Sequence, residues 1–212
     1  MVIDIIGAPG SGKTTVCNRI KNSLRRRSIP YIDMTGRKNT PFQIKVFIRL
    51  CMIWIYLSPM YRSIYNEIEV KLAQYPKESN KYFYSNLGSI MRDVVRHVFA
   101  HKLFEKNNIY LLNDEGVLHK MLPISIQHGV PVNVLVEIYK SFNMDLKLIL
   151  VDSDIEQVFT NNIRRNRHDC DYDNMNEVEL RNYLAAYYDV LNQVLQDENY
   201  TIVNIKDESI II

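Results

Sequence analysis

The stretch GAPGSGKTT, from Gly7 to Thr15, contains the residue types needed to hold a phosphate chain. Gly7, Gly12, Lys13 and Thr14 fit the pattern G-x-x-x-x-G-K-[ST] without a mismatch. In such a loop successive N–H groups turn inward and, with the start of the following helix, wrap the β-phosphate of a nucleotide. Lys13 is then placed to bridge the β- and γ-phosphates, and the Thr14 hydroxyl to hold Mg²⁺. The candidate nucleotide site is the whole run: Gly7, Ala8, Pro9, Gly10, Ser11, Gly12, Lys13, Thr14 and Thr15. At average residue usage such a match arises by chance in about one chain in a hundred of this length. The flanks lower those odds further, because Val2–Ile6 reads as a short buried strand and Thr15 to Arg27 as a helix ending before Pro30. The expected ligand is a nucleoside triphosphate, with ATP and Mg²⁺ as the working pair.

Phosphate chemistry also needs carboxylates and further cations. Asp114-Glu115-Gly116 ends the apolar run NIYLLNDEG, beside the expected position of the loop. One carboxylate there can order Mg²⁺ or its waters while another accepts a proton from an attacking hydroxyl, and the sequence leaves open which does which. Asp114 is the candidate metal partner alongside Thr14. Asp33, at the end of IPYIDMTG, is a rival base, and Arg37 follows within reach of an anionic acceptor. Arg164 and Arg167, in NNIRRNRHD, are three apart on one helical face and precede the polar run RHDCDYDNMN. Guanidinium groups on such a lid, about 164–176, would neutralise charge and exclude water, with Arg165 expected to point elsewhere. Arg92 and Arg96 share a face of another helix and suit a phosphate, carboxylate or sulfate on the acceptor. Asp154 or Ser153 reads as a helix cap.

Five apolar runs must position these groups: Val2–Ile6, IPYIDMTG, NIYLLNDEG, LKLILVDSD and NYTIVNIKD. Helical periodicity separates them, in Val94, Val95, Val98 and Leu103, in VNVLVEIYKSF, and in EVELRNYLAAYYDVLNQVL. Uniformly apolar strands alternating with helices imply a five-stranded, doubly wound parallel sheet flanked by helices. Between about 34 and 108 no strand is evident, so a helical insert is expected over the carboxyl ends of the strands, where acceptors bind in open α/β sheets. A chain of 212 residues and 47% hydrophobic content fits a single domain spanning 1–212. The net charge of +2 is too small to argue for nucleic acid. Three cysteines without metal spacing read as plain thiols in a reducing cytosol, hence a cytoplasmic location. Only six residues precede Gly7, so no signal peptide is expected. The apolar run Ile44–Leu57 has 14 residues, short of the ~20 that span a bilayer, and suits a buried helix or a homodimer contact ended by Pro59.

With these positions assembled, the chain resembles the P-loop small-molecule kinases, the superfamily of nucleoside monophosphate, thymidylate, shikimate and adenylylsulfate kinases. The resemblance runs through GAPGSGKT, Asp33, the helical insert, NDEG and IRRNR, nearly the whole chain in order. It implies a P-loop NTPase fold, ATP and Mg²⁺ held by Gly7 to Thr15, an acceptor bound by the insert, and a lid bearing Arg164 and Arg167. Arg92 falls close to a substrate arginine of thymidylate kinases. Asp114-Glu115 replaces their Asp-Arg pair and IDMTGRKNT their Glu-Pro segment, so the resemblance is to the superfamily rather than to that member. The implied activity is transfer of the γ-phosphoryl of ATP to a small acceptor such as a nucleotide, nucleoside, sugar or other anionic metabolite. Two other classes share the loop. A regulatory or motor NTPase would read Asp114-Glu115 as metal ligand and water activator, and a polynucleotide end kinase would want a broader basic surface.

Overall fold

The computed structural model describes residues 2–33, 56–75, 91, 94–95, 97–99, 101–102, 109–142, 144, 146–165, 174–196 and 200–204. Five strands lie where the apolar runs place them: β1 (Val2–Ile6), β2 (Tyr31–Asp33), β3 (Tyr110–Asn113), β4 (Leu146–Asp152) and β5 (Tyr200–Asn204). They form one sheet in the order β2-β3-β1-β4-β5, every pairing parallel. β1 is central, so the loop leaving it at Gly7 emerges in the middle of the carboxyl edge, between the ends of β3 and β4.

Side chains alternate across β1 as the pleat requires. Ile3 and Ile5 face one way, into a core with Val16, Cys17, Ile20 and Leu24 of α1 (Lys13–Arg26). Ile6 joins a larger core on the opposite face, built by α2 (Pro59–Leu72), α3 (Val117–His128), α4 (Val132–Ser141), α5 (Ile155–Arg165) and α6 (Glu177–Leu195). The sheet is thus covered on both faces, as its uniformly apolar strands demand. Each fully buried Ile or Leu contributes about 1.5–3 kcal/mol over an exposed one.

Local chemistry explains the boundaries. α1 starts at Lys13 rather than Thr15, directly behind Gly12, so the phosphate loop runs without a linker into a helix N-terminus. Asp154 Oδ2 accepts from the N–H groups of Glu156 (3.0 Å) and Gln157 (3.1 Å) and caps α5. Asn176 and Glu179 form a reciprocal capping box on α6, each bond 3.0 Å. α3 is the helix that the periodicity did not announce, since Pro123 interrupts its pattern. It persists because Val117, Leu118, Met121, Leu122 and Ile124 are buried, a gain that outweighs one lost backbone bond.

Of the stretch 34–108, α2 and the described residues between 91 and 102 are helical. Most of the expected Ile44–Leu57 helix lies outside the described residues. Tyr56 and Leu57 are helical and exposed, the helix is interrupted at Ser58, and Pro59 opens α2. Among the described residues no helix is long and apolar enough to cross a membrane.

Candidate active site

The loop between β1 and α1 is shaped by what holds its carbonyl groups. Gly7 O accepts from Lys13 Nζ at 2.9 Å and from the Tyr187 hydroxyl at 3.2 Å. Ala8 O accepts from Lys13 Nζ at 2.9 Å and from Ser11 N at 3.1 Å. Asn162 Nδ2 donates to Pro9 O at 2.7 Å, Asn161 Nδ2 to Gly10 O at 3.0 Å, and Ser153 Oγ to Ser11 O at 3.0 Å. Gly12 O accepts from Thr15 N and Val16 N in the first turn of α1. A planar peptide directs N–H and C=O to opposite sides. The Pro9 and Ser11 carbonyls are held from α5 and the β4–α5 turn, which leaves the N–H groups of Gly10 and Gly12 on the opposite side, as anion binding requires, while Ser11 N is engaged by Ala8 O. Gly10 makes this possible: its φ is +88°, and a Cβ would lie 2.6 Å from Asn162 Nδ2.

The loop opens on a cleft of about 320 Å³ lined by Pro9, Gly10, Gly12, Lys13, Thr14 and Thr15, together with Asp114, Glu115, His119, Asn161 and Arg165. Lys13 is only 8% exposed. Burial pushes its pKa down to about 8, against the raising influence of Glu115 and Asp114, while Arg165 adds to the lowering. The ammonium thus stays largely protonated at neutral pH, parked on two backbone carbonyls.

Thr14 Oγ1 donates to Asp114 Oδ2 at 3.4 Å, so the two residues expected to share a metal meet across the cleft. Burial and the neighbouring Glu115 raise the Asp114 pKa, and Lys13, Lys21 and the Thr14 contact lower it. Glu115 is exposed on the same rim. Behind this turn lies a residue that motif reading passes over. Asp4 of β1 is 1% exposed, and a Cβ on Gly116 would fall 1.5 Å from its Oδ1. The N–H groups of Gly116, Val117 and Leu118 at the start of α3 lower its pKa without any forming a bond of full geometry. Burial wins, and the carboxyl is pushed up to about 7.

His119, one turn into α3, lines the cleft, and its Nδ1 lies 2.8 Å from the Tyr187 hydroxyl. Burial and the charges of Lys13 and Lys120 hold its pKa well below the usual histidine value. Tyr188, next to Tyr187, donates to Ser153 O at 2.6 Å and so braces the turn that holds Ser11.

The basic residues sort differently from the sequence reading. Arg165, not Arg164, lines the cleft. Asn161 and Asn162 face the loop, and at about 100° per residue Arg165 falls on their face whereas Arg164 lies about 110° away. Arg164 is exposed, and Arg167, Arg37, Arg92 and Arg96 lie outside the described residues. Asp33 does end β2, but β3 separates that strand from β1, and its Oδ2 is ion-paired with Lys21 Nζ of α1 at 2.6 Å, away from the cleft lining.

Asn161, Asn162, Ser153, Tyr187 and Asp4 carried a partial signal at most. Asp4 is a lone charge inside an apolar strand, and the Asn pair sits on an otherwise amphipathic helix. The remaining two look like ordinary helix and turn residues.

No protein-family model and no curated protein matches the chain. Among solved structures it is similar to a deoxyadenosine kinase from M. mycoides. With the products dCMP and a flexible dCDP bound, that structure shares 15% identity over 98% of this chain and 93% of its own, with a TM-score of 0.53. With dATP bound, the values are 12% identity, 98%, 93% and 0.52. At such identity the likeness speaks for the fold.

Proposed function

We propose, because the fold is that of the P-loop kinases, that this chain is an ATP-dependent phosphotransferase acting on a small acceptor, a nucleoside in the first instance. The observation that carries the reading is the loop itself, whose carbonyls are held from α5 and the β4–α5 turn beside a cleft that also presents Lys13, Thr14, Asp114, Glu115 and Arg165. The nucleoside is favoured by the nucleotides bound in the similar kinase.

Thr14 and Asp114 offer two hard oxygens 3.4 Å apart, and among the described residues no group of three or more His, Cys, Asp or Glu would hold a metal unaided. That set suits Mg²⁺, whose other ligands are phosphate oxygens and waters. When bound, the ion neutralises charge on the β- and γ-phosphates. The inward amides hold the β-phosphate, and Lys13 leaves the Gly7 and Ala8 carbonyls to meet the γ-phosphate. Because Asp114 is engaged by Thr14 and Asp33 by Lys21, Glu115 is the carboxylate we assign to accept the acceptor's proton. The acceptor oxygen then bonds to the γ-phosphorus as the bond to the β–γ bridging oxygen breaks and ADP leaves. Arg165 adds positive charge over the transferring group.

The test is ADP release from Mg-ATP against separate pools of deoxynucleosides, ribonucleosides, nucleoside monophosphates and sugars, with Lys13→Ala as control. The expected result is release that depends on a nucleoside pool and is lost in the control. Equal release with and without every pool would replace the kinase by a hydrolytic NTPase, in which Glu115 activates water.

A further inference from the structure

The Gly7 carbonyl has two donors where one would satisfy it. Lys13 Nζ and the Tyr187 hydroxyl both reach it, at 2.9 and 3.2 Å. Tyr187 is 0% exposed, comes from α6, and is 180 residues away in the chain. An ammonium has three protons, and two of those of Lys13 already meet the Gly7 and Ala8 carbonyls. Bridging two phosphate oxygens therefore takes the lysine off at least one of them, and a buried carbonyl left without a donor carries a desolvation penalty.

We propose that Tyr187 is a positioning residue for phosphoryl transfer, which keeps the Gly7 carbonyl satisfied when Lys13 turns to the nucleotide, and that His119 fixes the direction of its proton. The inference rests on the reading of the loop as a nucleoside triphosphate site. The assignment of protons follows from valence. A phenol has one proton, which we assign to Gly7 O, 3.2 Å away, rather than to His119 Nδ1. The 2.8 Å contact with His119 then requires Nδ1–H of the imidazole to donate to the phenol oxygen, which selects the tautomer with Nδ1 protonated. A neutral His119, as its depressed pKa provides, leaves Nε2 as a lone-pair acceptor on a residue that lines the cleft. The chain His119–Tyr187–Gly7 therefore links the cleft wall to the first peptide of the phosphate loop. It hands that peptide a donor that the lysine can abandon.

The arrangement predicts an asymmetric effect. In Tyr187→Phe the ligand-free protein still has Lys13 on the Gly7 carbonyl, so the loss is concentrated in the nucleotide-bound state. Equilibrium titration with a fluorescent ATP analogue is expected to show affinity reduced roughly tenfold to a hundredfold, the range expected for orphaning one buried acceptor. The ligand-free melting temperature should fall far less than that loss implies. His119→Leu should weaken binding in the same direction, and His119→Asn, which keeps an N–H donor, should recover part of it. Wild-type affinity in Tyr187→Phe would overturn the inference, as would a fall in ligand-free stability that matches the loss of affinity. If wild type and Lys13→Ala both fail to bind the analogue, the reading of the loop itself falls, and this inference with it.

Discussion

Replacing Asp4 by Asn isolates a contest between burial and the α3 N-terminus. The carboxyl is 1% exposed, and its pKa rises from 3.8 to about 7 because burial penalises the charge more than the amides of Gly116, Val117 and Leu118 favour it. An acid whose pKa is raised on folding contributes stability that is full below its unfolded value and is lost as pH climbs through the folded one. With 3.8 and about 7 as the two values, wild-type stability should fall by about 2.5 kcal/mol between pH 5 and pH 8 on account of this group. Asn cannot ionise, so Asp4→Asn should lack that component. The assay is guanidinium denaturation of both proteins at four pH values across this range, reading the difference, which cancels every other titrating group. Parallel curves would refute the reasoning, since they would mean that the native carboxyl is already ionised at pH 5 and that the helix amides outweigh burial. The outcome bears on the site because the same carboxyl packs against Gly116, whose neighbours Asp114 and Glu115 line the cleft.

The arginine assignment separates in two variants. Arg165→Ala should lower acceptor-dependent ADP formation roughly tenfold to a hundredfold, whereas Arg164→Ala should stay within about twofold. The reverse order would return the lid to the phase read from sequence. Asp154→Ala removes both side-chain bonds of the α5 cap. It should cost about 1 kcal/mol and lower the melting temperature by about 2–4 °C.

How far the sequence could be read follows from how local each determinant is. The phosphate loop is a contiguous nine-residue signature, and the five strands are apolar runs bounded by turn residues, so both are legible without the fold. The capping of α5 by Asp154 and the span of α6 are equally local. Arg165 is not, because one residue of helix phase is 100° of rotation, and only the packing of α5 against the loop fixes which arginine faces inward. α3 was obscured by Pro123, whose tolerance depends on tertiary burial. Asp4 stands out in VIDII, yet its partner Gly116 is named only once β3 is known to lie beside β1. Tyr187 and Ser153 look unremarkable because their role is to hold carbonyls, a task that leaves no motif.

The same carbonyl partners set an order on the making of the protein. The residues that hold Ser11, Gly10, Pro9 and Gly7 lie 142, 151, 153 and 180 positions downstream of them. On a ribosome the signature emerges well before the donors that hold its carbonyls, which arrive 142 to 180 residues later. Until α6 docks, Gly7 has at most the lysine, and the loop is a glycine-rich segment free to take many shapes. On the proposed reading the nucleotide site is therefore completed only when α6 has docked. A nascent chain halted before residue 187 should carry the complete motif and yet no nucleotide site.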